Sequence, residues 1–428
     1  MKTTTYQQAL ANGEISLEIP VYESQHLFVS QKGIIKLSDS NHLTEGGGGG
    51  GEQDENDNLQ NFTDEYFIFR DIFGKLSRFF RAYTHHTLEC KVRILPYAYA
   101  YTHQEIVFTR SKKALIDHTP FRRHPFSPPL SNTSNIKNYI YLIKRTLSYI
   151  YLIKQWFSFY TKSLFAKRYN TSVALLTREV ANNYYHFLNE TLAEYYQLKL
   201  AKKEPDFYIL PLEMPFHKQV YQLLNIDIKR IIPSHTRKLI RAKELIIPTL
   251  LADYEILEYR KYTHFDSHIL PLFTYTMHKE LFHKTLSITH TLKPTRKIFL
   301  ARPAHSNRNF TNHQEIEKVM REYGFEIIMP DSLSVEEQIH TIREAAYVVS
   351  PHGAALENLV FAKEQTKVLE IFPQYYHNRC PQFVALAQKC QYSYLIGDTQ
   401  DTSMHPQQEC IYLSADKLRF ALDIFLGS

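Results

Sequence analysis

Glycine is scarce in this 428-residue chain, and its distribution argues against several classes of nucleotide-binding protein. Six of the thirteen glycines form one run at 46–51, and no two of the other seven are close together. Neither G-x-G-x-x-G nor G-x-x-x-x-G-K-[ST] occurs, so the phosphate-binding loops of dinucleotide-dependent dehydrogenases and P-loop NTPases are missing. The Gly-rich loop of protein kinases is missing as well. Any nucleotide site in this chain has to be built without such a loop.

Cysteine and metal-binding patterns are also rare. The four cysteines include no C-x-x-C pair, which argues against a zinc ribbon or a thioredoxin-type motif. Four thiols in a chain of this length do not make a disulfide scaffold, and we expect them to be reduced. D-x-D, H-E-x-x-H and G-x-S-x-G are all absent from the sequence. We therefore predict no metal ligands, since a divalent ion needs carboxylates held close together.

Long apolar runs are missing too. No stretch of about 18 uncharged apolar residues occurs, which argues against a transmembrane helix. The first 20 residues contain no apolar stretch of the kind found in signal peptides. From these absences we expect a cytoplasmic protein. The composition is 44% apolar and 22% charged, which is ordinary for a globular chain, and the length suits two or three domains.

The positive charge of the chain is concentrated in residues 110–170. This window holds twelve Lys and Arg side chains and one acid, whereas the remainder carries 38 basic and 43 acidic side chains. If this segment is helical, three lysines lie along one side of the helix: Lys137, Lys144 and Lys162. Three aromatic residues lie on the opposite side: Tyr149, Trp156 and Tyr160. Such a helix is typical of a membrane interface. We expect an anionic membrane surface as its partner, a peripheral location on the inner face of the membrane, and no nucleic-acid partner. A packed helix or a hairpin is the plainer alternative.

Strands and helices alternate from residue 172 onward, which predicts an α/β protein with parallel sheets. We predict a strand-rich N-terminal segment at 1–45 and a flexible, Gly-rich and acidic linker at 46–58. An N-terminal domain that includes the basic window follows at 59–285, and a Rossmann-like C-terminal domain at 290–400. The last segment, 401–428, is predicted to be a helix that crosses back to the N-terminal domain. The linker has no aliphatic residue, so it has nothing to bury.

Two loops at the carboxyl ends of predicted strands carry groups suited to an anion. The predicted strand Lys297–Arg302 is followed by Arg308, and guanidinium groups match phosphate oxygens. A second strand leads through His352 and Gly353 into a predicted helix, whose first N–H groups attract negative charge. Because both strands belong to one parallel sheet, their carboxyl ends meet at the same edge. A solvated basic loop and an ordinary strand-to-helix turn are the alternatives.

Three more ionisable residues lie where chemistry would need them. Glu370 lies inside the apolar strand Lys367–Pro373, where a buried carboxylate needs a partner such as a ribose diol or a structural salt bridge. His186 and Glu190 are four residues apart and share one face of a predicted helix. A histidine beside a carboxylate suits a general base. An ordinary polar helix face is the alternative there.

These motifs, in this order, resemble glycosyltransferase family 61, the group that includes bacterial capsular-polysaccharide-type transferases. The resemblance rests on NNYYHFLNE at 182–190, LARPAHSNRNFTN at 300–312, the run GFEIIMPDSLSVEEQIHTIREAAYVVSPHGAALENLVF at 324–361 and VLEIFP at 368–373. It covers about 170–375, less than half of the chain. The family's first motif strand commonly ends in Ser-Arg, and here Ala301-Arg302 stands in that place.

The resemblance implies a GT-B fold, in which two Rossmann-like domains face a cleft, and an inverting, metal-independent hexosyl or pentosyl transfer from a nucleotide sugar. The implied donor-binding residues are Arg302, Arg308, Asn312, His352, Gly353, Ala354, Asn358 and Glu370. Within this set the diphosphate would lie at the arginines and the 352–354 turn, and the ribose at Glu370. His186 or Glu190, from the N-terminal acceptor domain, would be the base.

The substrates follow from the same resemblance. No cofactor is expected, because the nucleotide sugar is itself the donor substrate. Uridine diphosphate is the expected carrier, although the motifs specify neither the base nor the sugar. The acceptor is expected to be a polysaccharide, a lipopolysaccharide or a lipid-linked glycan. Two alternatives fit the same residues: a non-catalytic, membrane-associated protein that binds nucleotide or glycan, and another GT-B transferase with a different donor.

Overall fold

The computed structural model describes most of the chain, and all structural statements here concern these residues: 3–30, 33–37, 68–81, 83–87, 89–115, 159–178, 180–251, 254–259, 262–267, 270–288, 293–303, 306–398 and 406–427. Within them the protein is a mixed α/β structure with parallel strands in its two largest sheets, as the alternation predicted.

The strands are β1 (Thr3–Thr4), β2 (Leu17–Tyr22), β3 (His26–Ser30), β4 (Gly33–Leu37), β5 (Ile68–Arg70), β6 (Leu76–Arg81), β7 (Tyr83–His86), β8 (Cys90–Pro96), β9 (Tyr99–Tyr101), β10 (Val107–Phe108), β11 (Ala114–Leu115), β12 (Lys167–Leu175), β13 (Phe207–Leu210), β14 (Ile231–Pro233), β15 (Leu239–Pro248), β16 (Tyr254–Tyr259), β17 (Tyr262–Ser267), β18 (Arg296–Leu300), β19 (Glu326–Ile328), β20 (Ala345–Pro351), β21 (Lys367–Phe372), β22 (Tyr376–Asn378) and β23 (Gln391–Ile396).

The α-helices are α1 (Tyr6–Ala11), α2 (Tyr184–His186), α3 (Leu192–Leu200), α4 (Pro215–Leu223), α5 (Phe273–Leu281), α6 (His283–Ile288), α7 (His313–Glu322), α8 (Val335–Glu344), α9 (Cys380–Ala387) and α10 (Ala415–Gly427). A π-helical turn, Phe187–Thr191, joins α2 to α3. Short 3₁₀ helices are Ile228–Arg230, Ser234–Thr236, Pro330–Ser332, Ala354–Phe361 and Pro406–Gln408. Residues 159–164 are also helical.

The chain divides into two compact units, and the first contains Met1–Glu23 and Cys90–Leu250. Its sheet has the order β1-β11-β10-β9-β15-β12-β13-β14, with β8 beside β15 and β2 beside β8. The strands β15, β12, β13 and β14 run parallel, whereas β8 and β9 run antiparallel to β15. Apolar strand residues such as Val173, Leu175 and Leu245 lie in its core.

The second unit contains Ser24–Glu89 and Leu251–Ser428. Its central sheet is parallel and has the order β19-β18-β20-β21-β23. Counted along the chain, this is the 2-1-3-4-5 order of flavodoxin-like doubly wound sheets. The strand order reverses between β18 and β20. In such sheets ligands bind outside the carboxyl ends of the strands at this point, so the topology itself marks one edge as a binding site.

Two helices cover one face of this sheet. The helix α7 buries Ile316, Val319 and Met320, whose spacing of three and four residues makes one apolar stripe. The helix α10 buries Leu418 and Phe425, among others, in the same core. Each large apolar side chain that is buried in this way contributes about 1.5–3 kcal/mol to the free energy of unfolding. The apolar face of α10, the C-terminal helix that was predicted to cross back, therefore packs within the second unit.

Parts of the predicted 59–285 domain belong to the second unit, because their partners are there. The backbone N–H of Ile72 donates to the carbonyl of Tyr394 at 2.9 Å. Phe73 stacks on Phe420 with ring centroids 5.4 Å apart. Farther along the chain, β17 pairs in parallel with β22. Contacts between residues distant in sequence decide this division, and no local pattern encodes them.

Two sequence predictions lie outside the described residues. The linker 46–58 is one of them. The other is most of the basic window, since only 110–115 and 159–170 of it are described. In the part of the chain that the structure covers, no helix combines the length and the apolar character needed to cross a membrane.

Candidate active site

The candidate site begins where β18 and β20 end. Arg302 lies two residues beyond β18, and the turn at His352–Ala354 directly follows β20. These strands are parallel neighbours on either side of the point where the strand order reverses. The structure therefore brings together the two loops that the sequence analysis selected, at the edge where a doubly wound sheet binds its ligand.

Two guanidinium groups meet at one backbone oxygen. Arg302 Nη1 donates to the carbonyl oxygen of His352 at 3.2 Å, and Arg308 Nε donates to the same oxygen at 3.3 Å. Arg308 Nη1 also donates to the carbonyl of Gln407 at 2.9 Å, and Arg302 Nε to Ser306 Oγ at 3.3 Å. No described carboxylate forms a salt bridge with either arginine. Among the described residues, the groups that accept hydrogen bonds from these two arginines are therefore all neutral.

Electrostatics at this pair favours an incoming anion. Burial lowers the pKa of Arg302 to about 10, and the neighbouring charge of Arg308 shifts it in the same direction. Burial lowers the pKa of Arg308 as well, although Tyr376 opposes that shift. Both groups stay protonated near neutral pH. Two half-buried like charges repel each other, and an anion that accepts hydrogen bonds from both would remove that cost.

Arg308 also has an unusual backbone. Its φ is +60°, in the left-handed region that few side chains other than glycine adopt readily. Such a residue costs on the order of 1 kcal/mol or more, and strained residues of this kind cluster at functional sites. The conformation turns the chain just after β18 and places the guanidinium over the ring of Tyr376, 5.2 Å from its centroid.

Gly353 is required by the position of Arg302. A Cβ built on Gly353 would lie 1.8 Å from Arg302 Nη1, so any larger residue would displace the guanidinium. Its backbone is extended, which any residue can adopt, and the constraint is therefore one of space. Ala354 then begins the helix that the sequence predicted, and this helix is of the 3₁₀ type. The first N–H groups of a 3₁₀ helix are likewise left without partners inside the helix.

His352 is nearly buried and tightly held. Its ring stacks on Phe372 with centroids 4.9 Å apart, and Tyr376 lies 5.3 Å away. Nδ1 is 2.5 Å from Glu370 Oε1. Burial holds the pKa of His352 well below its usual range, and the charges of Arg308 and Arg302 reinforce this. The imidazole is therefore neutral at physiological pH.

Glu370 does not have the geometry expected of a ribose ligand. It is 0% exposed, and its second oxygen accepts a hydrogen bond from Tyr392 Oη at 2.6 Å. Burial raises the pKa of Glu370 to about 8. Because both oxygens have side-chain partners, the arrangement favours a role for Glu370 in holding His352 over direct contact with a sugar.

Two further predicted donor residues are tied into the scaffold. Asn312 Nδ2 donates to Glu315 at 2.7 Å and to the carbonyl of Leu413 at 2.9 Å, which anchors the start of α7. Asn358 is 1% exposed, and its amide donates to Gln338 Oε1 in α8 at 2.9 Å. Their positions favour support of the two loops over contact with a ligand.

The predicted base pair lies in the first unit. Asn183 caps α2, because its side-chain oxygen accepts the N–H of Tyr185. His186 Nδ1 then lies 2.9 Å from Glu190 Oε1, so the two side chains do share one face. Glu190 is fully buried, whereas 22% of the His186 side chain remains exposed. Of the two candidates, His186 is thus the one that a substrate could reach.

A buried arginine holds the carboxylate in place. Arg178 Nη1 donates to Glu190 Oε2 at 2.9 Å, and Arg178 Nε donates to Glu194 Oε1 at 2.9 Å. Burial raises the pKa of Glu194 to about 8, although Arg178 opposes the shift. Burial by itself would lower the pKa of Arg178, but the two carboxyl groups raise it overall. The four side chains form one connected network.

A local irregularity of the helix lies within this network. Phe187–Thr191 is π-helical between α2 and α3, and single π turns occur frequently at functional sites. Within this turn Asn189, Glu190 and Thr191 are all fully buried. Glu190, from this turn, and Glu194, from α3, both accept hydrogen bonds from Arg178.

Sequence reasoning missed several residues of these sites. Arg178 carried one usable signal, because it lies just beyond the apolar end of β12. Tyr392 and Tyr376 carried none, since they contact the site from strands that come later in the chain. Within the described residues, the His186 network belongs to the first unit and the arginine pair to the second.

Comparisons with known proteins agree with the motifs. The family model for glycosyltransferase 61 matches residues 184–369, somewhat less than half of the chain. A curated relative, beta-1,2-xylosyltransferase RCN11 of Oryza sativa subsp. japonica, is 30% identical over 115 residues, which is 24% of this chain. The chain spans about a fifth of that relative's length, 21%. Residues 184–369 of this chain are therefore similar to the glycosyltransferase 61 family.

Proposed function

We propose that this protein is an inverting glycosyltransferase that moves a sugar from a nucleotide diphosphate to a glycan hydroxyl. One observation carries the proposal: Arg302 and Arg308 present two charges without a described carboxylate partner at the switch point of a doubly wound sheet. A transferase must stabilise the negative charge that develops on the departing diphosphate, and preorganised guanidinium groups do so.

His186 supplies the complementary chemistry. Glu190 accepts from Arg178 and is therefore an acceptor for His186 Nδ1–H, which puts the imidazole lone pair on Nε2. Nε2 takes the proton of the acceptor hydroxyl as its oxygen bonds to the anomeric carbon. The bond from that carbon to the diphosphate breaks, and the diphosphate leaves with the electron pair. Glu190 stabilises the imidazolium that forms.

Transfer assays with a panel of nucleotide sugars test the function. His186→Ala is expected to lower kcat by about 10²–10⁴-fold, the usual contribution of a general base, with little change in donor affinity. Nucleotide binding without transfer or hydrolysis would favour the alternative, a non-catalytic protein. A normal kcat for His186→Ala would place the base elsewhere.

The donor we propose to test first is UDP-xylose, because the named relative is a xylosyltransferase. UDP-hexoses come next, followed by GDP and CMP sugars for the alternative of a different donor class. The nucleotide sugar is proposed as a substrate, with no cofactor.

We also propose that the transfer needs no metal ion. Within the described ranges no group of three His, Cys, Asp or Glu side chains is placed to hold one. The paired guanidinium groups are suited to the charge that a divalent ion would otherwise neutralise. Activity is expected to survive EDTA. Loss of activity with EDTA and its recovery with Mn²⁺ would overturn this part of the proposal.

The acceptor we propose is a polysaccharide, a lipopolysaccharide or a lipid-linked glycan at an anionic membrane surface inside the cell. The described ends of the basic window support this. Leu164 is 66% exposed and Phe165 is 88% exposed, beside the cationic side chain of Lys162. Exposed apolar groups next to cations are typical of interfacial binding. For the pair of units we propose the GT-B fold, which a crystal structure with UDP would test.

A further inference from the structure

A short series of buried hydrogen bonds leads from Tyr392 through Glu370 to His352. Tyr392 Oη donates to Glu370 Oε2 at 2.6 Å, and Glu370 Oε1 lies 2.5 Å from His352 Nδ1. The three residues come from β23, from β21 and from the end of β20, which are neighbours in the sheet. All three are buried, Glu370 completely. The series therefore crosses the core of the second unit and ends at the candidate diphosphate site.

The ring of His352 has one orientation. Phe372 stacks on it at 4.9 Å, and the Tyr376 ring lies 5.3 Å away. The backbone carbonyl of the same residue accepts from Arg302 and Arg308. Because Glu370 engages Nδ1, Nε2 is the ring atom that can serve a ligand.

The position of one proton decides what Nε2 can do. If Glu370 is a carboxylate, Nδ1 carries the proton, and the lone pair on Nε2 repels a phosphate oxygen. If Glu370 is a neutral acid, its O–H donates to Nδ1, and Nε2 carries an N–H that a phosphate oxygen can accept. The hydrogen bond from Tyr392 anchors Glu370 in either case, because a carboxylate oxygen and the carbonyl oxygen of an acid both accept it, and by itself it lowers the pKa of Glu370.

Burial and charge favour the neutral acid. Burial raises the pKa of Glu370 to about 8. The pKa of His352 is held far below its usual value by burial, by Arg308 and Arg302, and by His377. An ion pair of imidazolium and carboxylate is therefore disfavoured on both sides. In the neutral arrangement both oxygens of Glu370 and Nδ1 of His352 have a partner of the right kind, and the N–H on Nε2 is left to donate to a ligand.

We propose that Glu370 is a positioning residue: as a neutral acid anchored by Tyr392, it holds His352 in the Nε2–H tautomer, so that Nε2 donates to the diphosphate that Arg302 and Arg308 bind. The identity of the ligand rests on the proposed function. The tautomer does not, because it is a property of the protein alone.

Nitrogen NMR of the full chain with ¹⁵N-labelled histidine tests this, with the His352 signals identified by their loss in His352→Asn. At pH 7 we expect a protonated Nε2 and an Nδ1 that accepts a hydrogen bond. Glu370→Gln should keep this signature, since its amide N–H can donate to Nδ1 while its oxygen accepts from Tyr392. Glu370→Leu should lose it. Glu364→Gln, at an exposed position of the same unit, is the matched control and should leave the signature in place.

Two further measurements test the same proposal. UDP should bind to Glu370→Leu about tenfold more weakly than to Glu370→Gln, the effect of losing one hydrogen bond to a charged group. If Glu370→Leu does not fold, the infrared difference between wild type and Glu370→Gln still reports the carboxyl band of a neutral acid. A protonated Nδ1 or carboxylate bands at pH 7 would overturn the proposal. Failure of every variant to bind UDP would contradict the proposed function while leaving the tautomer result intact.

Discussion

Arginine has opposite surroundings in the two units. In the first unit Arg178 is buried between two carboxyl groups, those of Glu190 and Glu194. In the second unit Arg302 and Arg308 donate only to backbone carbonyls and a serine hydroxyl among the described residues. Arg178 therefore has its counter-charge inside the protein, whereas the pair at the sheet edge is electrostatically incomplete.

This difference separates a structural cation from a ligand-binding one. The buried ion pair with Arg178 holds the carboxylate of Glu190 in place, and Glu190 in turn orients His186. The role of Arg178 is therefore structural. The paired guanidinium groups cost free energy by burial and mutual repulsion, which an anionic ligand relieves. The comparison predicts that loss of Arg178 acts mainly on stability, whereas loss of Arg302 or Arg308 acts mainly on anion binding.

The largest expected effect on stability is that of Arg178→Ala. It leaves two buried carboxyl groups without their cation, and removing one partner of a buried ion pair costs about 3–5 kcal/mol of unfolding free energy. Urea denaturation of the full chain measures this. Arg302→Ala, which removes a cation without a carboxylate partner, is the matched control and should cost far less. Equal losses for the two variants would break the comparison.

A smaller effect concerns pH. The unfolded state loses the Glu370 proton near its ordinary pKa of 4.5, whereas the folded state keeps it up to about 8. The contribution of Glu370 to the free energy of unfolding therefore decreases as the pH rises toward 8. Protonation of unfolded-state histidine, near 6.5, acts in the opposite direction at lower pH. The window from pH 6.5 to 8 isolates the Glu370 contribution.

Within that window the unfolding free energy of the wild type should fall by about 1–2 kcal/mol more than that of Glu370→Gln. Glu194 has a raised pKa of the same kind, but it is present in both proteins and cancels in the comparison. Other ionisable groups influence Glu370 and its partners His352 and Tyr392, namely Arg302, Arg308, His377, Arg379 and Tyr394. Thermal unfolding at several pH values gives the difference, and identical slopes would contradict the assignment of the proton to Glu370.

A third expected effect concerns binding to a membrane. The double variant Leu164→Ser, Phe165→Ser should bind anionic liposomes more weakly than wild type, by about 1–3 kcal/mol, since it removes exposed apolar surface beside cations. Phe420→Ser, at a 60% exposed aromatic position of the second unit, is the control. Co-sedimentation at low and high salt measures binding, which should weaken as salt rises. Equal binding by both variants would argue against this surface.

Several features of both units could be predicted from the sequence because their signals are local. The capping box of Ser334 and Glu337 fixed the start of α8. The strand predicted at Lys367–Pro373 begins where β21 begins and ends one residue after it, and the spacing of His186 and Glu190 gave their contact. Each of these depends on residues within a few positions of one another, which is the range over which capping and periodicity act.

The remaining features depend on distant contacts. Tyr392 meets Glu370 across 22 positions, and only the order of strands in the sheet brings them together. The same contact changes the interpretation of Glu370, because a buried acid with two side-chain partners cannot be told from a ribose ligand by its own segment. The π-helical turn at Phe187–Thr191 is likewise invisible to a 3.6-residue period.

The most direct test of the central claim is calorimetric titration of UDP into wild type, Arg302→Ala and Arg308→Ala, in the presence of EDTA. The account predicts that wild type binds and that each variant loses about 2–4 kcal/mol of binding free energy, the scale of one charge-assisted contact to a diphosphate. Arg296→Ala, which removes a cation that already pairs with Glu326 and Glu344, should bind UDP like wild type. Unchanged affinity in both Arg302→Ala and Arg308→Ala would contradict the claim that these two side chains hold the diphosphate.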